Sequence, residues 1–116
     1  MEARAISKEV RQSARKMRLV IDLIRGRAVG EAYGLLRFSK KRAAEAIDKT
    51  LRSAVANARA KAEAAGEYVD VDELYVKEAY VNQGPSLKRW RAAAMGRPSP
   101  IRRPTSHVVI VVDRKE

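Results

Sequence analysis

The sequence predicts an α+β fold: three helices packed on one face of a small antiparallel three-stranded sheet, with a long β-hairpin arm protruding from it. Three observations lead there. Apolar residues recur at helical spacing as far as Ala62, β-branched and aromatic residues cluster from Leu74 onward, and a 21-residue basic segment, GPSLKRWRAAAMGRPSPIRRP, separates two strand-prone runs. Helices gathered first and strands last favour an antiparallel sheet with helices on one side over alternating βα units. At 116 residues the chain suits one modest core, so 1–116 is read as a single domain and 84–104 as an extended arm within it.

The first residues, up to about Ile6, are a candidate third strand that composition alone does not reveal. Ser13 is a good N-cap, and Met17, Val20, Ile21 and Ile24 follow at helical spacing until Gly26 stops the pattern. Arg15, Lys16, Arg18, Asp22 and Arg25 fall off that stripe, which gives a helix with one buried and one arginine-rich face. A second helix is expected from about Val29 to Phe38, burying Ala32, Leu35 and Leu36, with Gly34 in its middle costing about 1 kcal/mol relative to alanine. From Lys40 to about Ala65, the residues Ala43, Ile47, Leu51, Ala54, Val55, Ala58 and Ala62 form one stripe of mostly small side chains, closed by Gly66. Beyond it, Leu74 to Gln83 and SHVVIVVD (Ser106 to Asp113) are strand-prone, and the second run, apolar on both faces, reads as a central strand. Tyr33, Tyr68, Tyr75 and Tyr80 are expected in core and sheet positions.

If these two strands are neighbours, Gly84 to Pro104 is their connection, far longer than an ordinary hairpin loop. As a two-stranded ribbon it would reach on the order of 30 Å from the body. Such a ribbon is marginal by itself, with only Leu87, Trp90, Met95 and Ile101 as larger apolar groups. Its cations are Lys88, Arg89, Arg91, Arg97, Arg102 and Arg103, five of them Arg, whose planar fork binds phosphate and stacks on bases. Ala92, Ala93 and Ala94 make a narrow tip, and Gly96 suits a tight return. Pro98 and Pro100 are expected to interrupt a regular ladder in the returning strand.

Charge points to the partner. Lys and Arg outnumber Asp and Glu by 25 to 14, a net charge of +11, which marks a polyanion-binding chain. The excess is local: the first 27 residues and the arm are basic, whereas Glu67 to Glu78 is acidic. No apolar run is long enough to cross a membrane and the N-terminus lacks the apolar stretch of a signal peptide, so the protein is expected to stay where it is made. Without cysteine there is no disulfide and no thiolate metal site.

Several stretches then meet a known family. SARKMRLVIDLIRGR (Ser13 to Arg27), SAVANA (Ser53 to Ala58), LYVKEAYVNQGPSLKR (Leu74 to Arg89), Gly96 with Arg97, and TSHVVIVV (Thr105 to Val112) follow in the order and spacing of the bacterial type of large-subunit ribosomal protein 22. The chain resembles that family over nearly its whole length. The resemblance implies a globular domain at the outer surface of the large ribosomal subunit and a hairpin that lines the peptide exit tunnel near its narrowing, opposite large-subunit ribosomal protein 4. It also implies early assembly, bridging of several domains of large-subunit ribosomal RNA, contact with neighbouring ribosomal proteins and the nascent polypeptide, and a monomer within a cytoplasmic ribosome, an organellar origin also fitting.

Carried over by position, Ser13, Arg15, Lys16 and Arg18 would contact RNA, as would Lys88 and Arg89 on the entering strand and Gly96 with Arg97 at the return. Arg11, Arg25, Trp90, Arg91, Arg102 and Arg103 complete the expected RNA-binding set, and Arg91 to Gly96, with Met95, the tunnel-facing tip. Ala92 to Ala94 stand where relatives often carry Pro-Arg-Ala, Ala14 where they carry proline, and Pro104 where they carry a basic residue.

Other readings are weaker. Asp70, Asp72 and Glu73 resemble a carboxylate cluster for Mg²⁺ but have no acid or base nearby in sequence, so a solvated loop is preferred. His107 is the single histidine and has no second ligand for a transition metal, and Thr105 and Ser106 show no triad. No enzyme activity, metal or cofactor is expected. The alternative is a DNA-architectural protein that bends duplexes with a basic β-arm, although such arms usually come in pairs from a dimer.

Overall fold

A computed structural model describes residues 2–85, 87–92 and 98–114, with 87–92 and 98–103 described as backbone. Along the chain run β1 (Ala3–Val10), α1 (Ala14–Ile21), α2 (Val29–Arg37), α3 (Ala43–Ala64), a 3-10 turn (Val71–Glu73), β2 (Leu74–Gln83), β3 (Leu87–Ala92), β4 (Pro98–Arg103) and β5 (Ser106–Arg114). β1, β5 and β2 pair antiparallel in that order, and β3 with β4 forms a separate two-stranded ribbon. The fold is therefore α+β, with the helices, sheet and hairpin that the sequence predicts.

The central place of β5 follows from its composition. Val108, Ile110 and Val112 join the core beneath the helices, while Val109 and Val111, pointing the other way, are still only 2% and 7% exposed. Only a strand flanked on both sides keeps both faces so well covered. β1 contributes the small Ala3 and Ala5 to the core, so α3 approaches closely enough for the Asn57 amide to donate to the Arg4 carbonyl at 2.8 Å.

β1 is longer than expected, extending past Ile6 to Val10. Its last residues, polar in sequence, are held by pairing with β5 rather than by propensity, and the register slips between Ser7 and Val10. Glu9 sits in that bulge with φ of 55°.

α1 begins as expected, with the Ser13 hydroxyl accepting from the Lys16 N–H at 3.3 Å. Met17, Val20, Ile21 and Ile24 are all fully buried. Gly26, at φ of 78°, turns the chain, and its N–H donates to the Val76 carbonyl at 2.9 Å. In α2 one expectation fails: Leu35 is 38% exposed, and the buried stripe is Val29, Ala32 and Leu36. The helix is short and rests on one narrow line of contact, and Leu35 lies about 100° around the axis from Leu36.

α3 starts at Ala43 rather than Lys40, and its entire expected stripe is buried. Gly66, at φ of 72°, lets the Glu67 N–H return to the Ala62 carbonyl at 2.8 Å, a Schellman closure. Tyr68 departs from its expected place, standing 86% exposed just beyond this closure.

The arm's ladder is regular from Leu87 opposite Arg103 to Ala92 opposite Pro98, so the prolines do not interrupt it. Pro98 and Pro100 are two apart, so their missing N–H groups lie on one edge and the ladder runs on the alternate residues. The radius of gyration, 17.5 Å, exceeds the roughly 13 Å of a compact chain this long, and the longest extent is 66 Å against 28 and 16 Å. Ala93, Ala94, Met95, Gly96 and Arg97 lie outside the described residues.

Candidate nucleic-acid interface

The arm leaves the body where β2 ends and β5 begins, and a compact set of polar contacts ties this root down. The Gly84 N–H donates to the Thr105 carbonyl at 2.9 Å. The Thr105 hydroxyl donates to the Pro85 carbonyl, and the buried Ser106 hydroxyl to the Gln12 carbonyl at 2.6 Å. The Glu9 N–H donates to His107 Nδ1 at 3.1 Å. A Cβ on Gly84 would lie 2.7 Å from the Thr105 hydroxyl oxygen and 3.2 Å from His107 Nε2. GP and TSH, 20 residues apart in sequence, thus form one knot that also holds the end of β1 and the entry to α1.

The same end of the body collects cations. α1 starts beside the root, because Gln12 is bonded to Ser106, and runs away from it along β2. Lys8, Arg11, Arg15 and Lys16 are exposed here and form no ion pair among the described residues. Farther along, Arg18 on α1 and Arg25 just past its end are engaged. Arg18 donates Nε and Nη2 to the Val81 carbonyl at 3.1 and 2.9 Å, and Arg25 donates the same pair to Ala79 at 3.0 and 2.6 Å. Arg25 also meets Asp22 at 2.8 Å. Arg18 thus clamps the helix, and Arg25 the turn that follows it, to the sheet.

At the opposite end two cations stand against carboxylates. Lys77 pairs with Glu2 and lies 3.9 Å from Asp113, and Arg114 lies 3.9 Å from Glu73. The hydrogen bond that the Lys77 ammonium donates to the Glu2 carboxylate holds the lysine pKa above its usual value. The Asp70 carboxylate accepts from the Asp72 N–H at 3.0 Å, capping the 3-10 turn. Glu63, Glu67, Asp72 and Glu73 are exposed around it. The body is therefore polar along its length, with unpaired cations where the arm emerges and carboxylates at the far end.

Backbone register sets the arm's charges in two rows. Lys88, Arg89, Trp90 and Arg91 lie on β3 and Arg102 and Arg103 on β4, with Lys88 opposite Arg102. Like charges opposite one another destabilise a ribbon, and Lys88 and Arg102 are such a pair in this register. The geometry thus brings Arg11, Ser13, Arg15 and Lys16 to the root of the arm. Ser13 carries the cap its sequence position predicts, whereas Arg18 and Arg25 carry structural bonds that sequence spacing does not reveal, since their partners are more than 50 residues away.

The family model described as "Ribosomal protein L22p/L17e" matches residues 5–113. Among curated relatives, the "Large ribosomal subunit protein uL22" of Halothermothrix orenii is 51% identical over 116 residues, covering 100% of this chain and 98% of the relative. The protein of the same name from Bifidobacterium longum is 50% identical with the same coverage. That of Ligilactobacillus salivarius is 52% identical over 113 residues, covering 97% of this chain and 94% of the relative.

Proposed function

The chain belongs to the ribosomal protein L22p/L17e family and is thus a structural protein of the large ribosomal subunit; on that premise we propose that it bridges separate segments of large-subunit ribosomal RNA and lines the peptide exit tunnel with its arm. The observation that carries this reading is the one-sided charge of the body. Unpaired Lys8, Arg11, Arg15 and Lys16 gather where the arm emerges, while at the far end Lys77 and Arg114 stand against carboxylates and the acidic Glu67, Asp72 and Glu73 are exposed. RNA held by α1 and RNA held by the arm would belong to different segments, because the ribbon extends well beyond the body.

In this mechanism Arg11, Arg15 and Lys16 neutralise phosphates beside the root, and Arg18 and Arg25 add the N–H groups they do not give to β2 farther along the same face. Ser13 fixes the start of the helix that carries them. Lys88, Arg89, Arg91, Arg97, Arg102 and Arg103 do the same along the ribbon, with Trp90 as a stacking group. Counterions released from the RNA supply much of the affinity. The tip, Arg91 to Gly96, faces the tunnel beside large-subunit ribosomal protein 4 and the nascent polypeptide. One domain with a built-in arm performs both tasks, in the cytoplasmic ribosome.

Footprinting on large-subunit ribosomal RNA at two salt concentrations, with duplex DNA as competitor, tests this. Protection of several separated RNA segments that survives excess DNA is the expected result. Equal loss of binding to DNA would replace this reading with the DNA-architectural one.

A further inference from the structure

A third group of cations stands on the body without a partner. The corner between α2 and α3 reads RFSKKR, Arg37 to Arg42. Arg37, Lys40, Lys41 and Arg42 are exposed, and none forms an ion pair among the described residues. The neighbouring carboxylates on α3 are already matched, Glu45 by Lys49 at 3.9 Å and Asp48 by Arg52 at 3.0 Å. Phe38, the chain's single phenylalanine, stands 83% exposed at the C-cap of α2. Its neighbours Arg37, Lys41 and Arg42 border an open groove of about 860 Å³ between the two helices.

Topology brings this corner to the basic end. Thr50 meets Ser7 at 2.7 Å and the Lys61 ammonium meets the Glu2 carbonyl at 2.8 Å, so α3 runs antiparallel to β1. The seven residues from Thr50 back to Ala43 cover about 10 Å, and the three from Ser7 to Val10 cover the same distance. Val10 pairs with Ser106 at the arm root, so the start of α3 lies level with that root.

We propose that the α2–α3 corner is a separate RNA-binding site, in which Arg37, Lys41 and Arg42 hold phosphates and Phe38 stacks on an unpaired base of a looped segment. The proposal rests on the RNA-binding reading above and adds a contact that neither α1 nor the arm supplies. A protein surface covering Phe38 would have to bury several unmatched cations beside it, which is costly. Looped RNA instead offers phosphates to the cations and a free base face to the ring, a match that a stacked duplex lacks.

Two kinds of change separate the roles, measured with the full chain on large-subunit ribosomal RNA across a salt series. The triple variant Arg37→Ala, Lys41→Ala, Arg42→Ala should flatten the log affinity against log salt slope by about 2 and lose protection at one RNA segment while the others persist. Phe38→Ala should weaken binding about tenfold with the slope unchanged, and Phe38→Tyr should restore it. These side chains are exposed, so thermal unfolding should be unaltered. An unchanged slope and footprint in the triple variant, alongside a reduced slope in Arg15→Ala, Lys16→Ala, would overturn the corner site and leave the broader reading standing. Failure of the unaltered chain to prefer RNA over DNA would overturn both.

Discussion

Gly84 is constrained by its neighbours rather than by its own backbone angles. The Thr105 hydroxyl that would meet an added methyl is itself bonded to Pro85, so it has little freedom to retreat. Gly84→Ala is expected to destabilise the protein by about 1–3 kcal/mol. Adding Thr105→Ala should recover part of that loss, which paired thermal melts would measure. Tyr33 makes a different case: burial raises its phenol pKa above the ordinary value, opposed by the Arg52 guanidinium 5.6 Å from the ring centre. A phenol with a raised folded pKa stabilises the fold fully below the unfolded value, and that contribution is lost as pH rises through the folded one. Tyr33→Phe should therefore flatten the alkaline decline in stability measured by denaturant titration. The GP and TSH motifs are visible in sequence, but their mutual contact is not, because the two segments meet only once the arm has doubled back.

Among the elements, α1 separates structure from binding along its own length. Its periodicity is legible in Met17, Val20, Ile21 and Ile24, and its cap in Ser13. Spacing alone, however, places Arg15, Lys16, Arg18 and Arg25 on one undivided basic face. The structure divides them, because Arg18 and Arg25 donate to carbonyls of β2 and Arg15 and Lys16 do not. Replacing Arg18 by Ala should cost about 1–3 kcal/mol by removing charged hydrogen bonds to Val81. Arg15→Ala with Lys16→Ala should leave stability within about 0.5 kcal/mol and flatten the salt dependence of RNA binding. Chemical denaturation and RNA titration together distinguish the two behaviours. β1 is barely legible: residues up to about Ile6 are only a candidate strand in sequence, SKEV carries no strand signal, and pairing with β5 forms and extends it.

For the whole molecule, the arm and the body are stabilised separately. The three-stranded sheet closes without residues of β3 or β4, so deletion of Trp90 to Arg97 should leave a cooperative thermal transition in circular dichroism. Loss of that transition would tie the arm to the core. The sequence by itself determined the α+β class, the helix stripes, the central strand and the existence of a long basic arm, because periodicity, apolar runs and charge are local properties of the chain. Tertiary structure alone decided that Lys8, Arg11, Arg15 and Lys16 share an end with Lys40, Lys41 and Arg42, and that Lys77 and Arg114 at the other end meet carboxylates. That end is set by the antiparallel run of α3 along β1 and of α1 along β2. The direction of packing depends on which faces bury together in three dimensions, and local spacing holds no record of it.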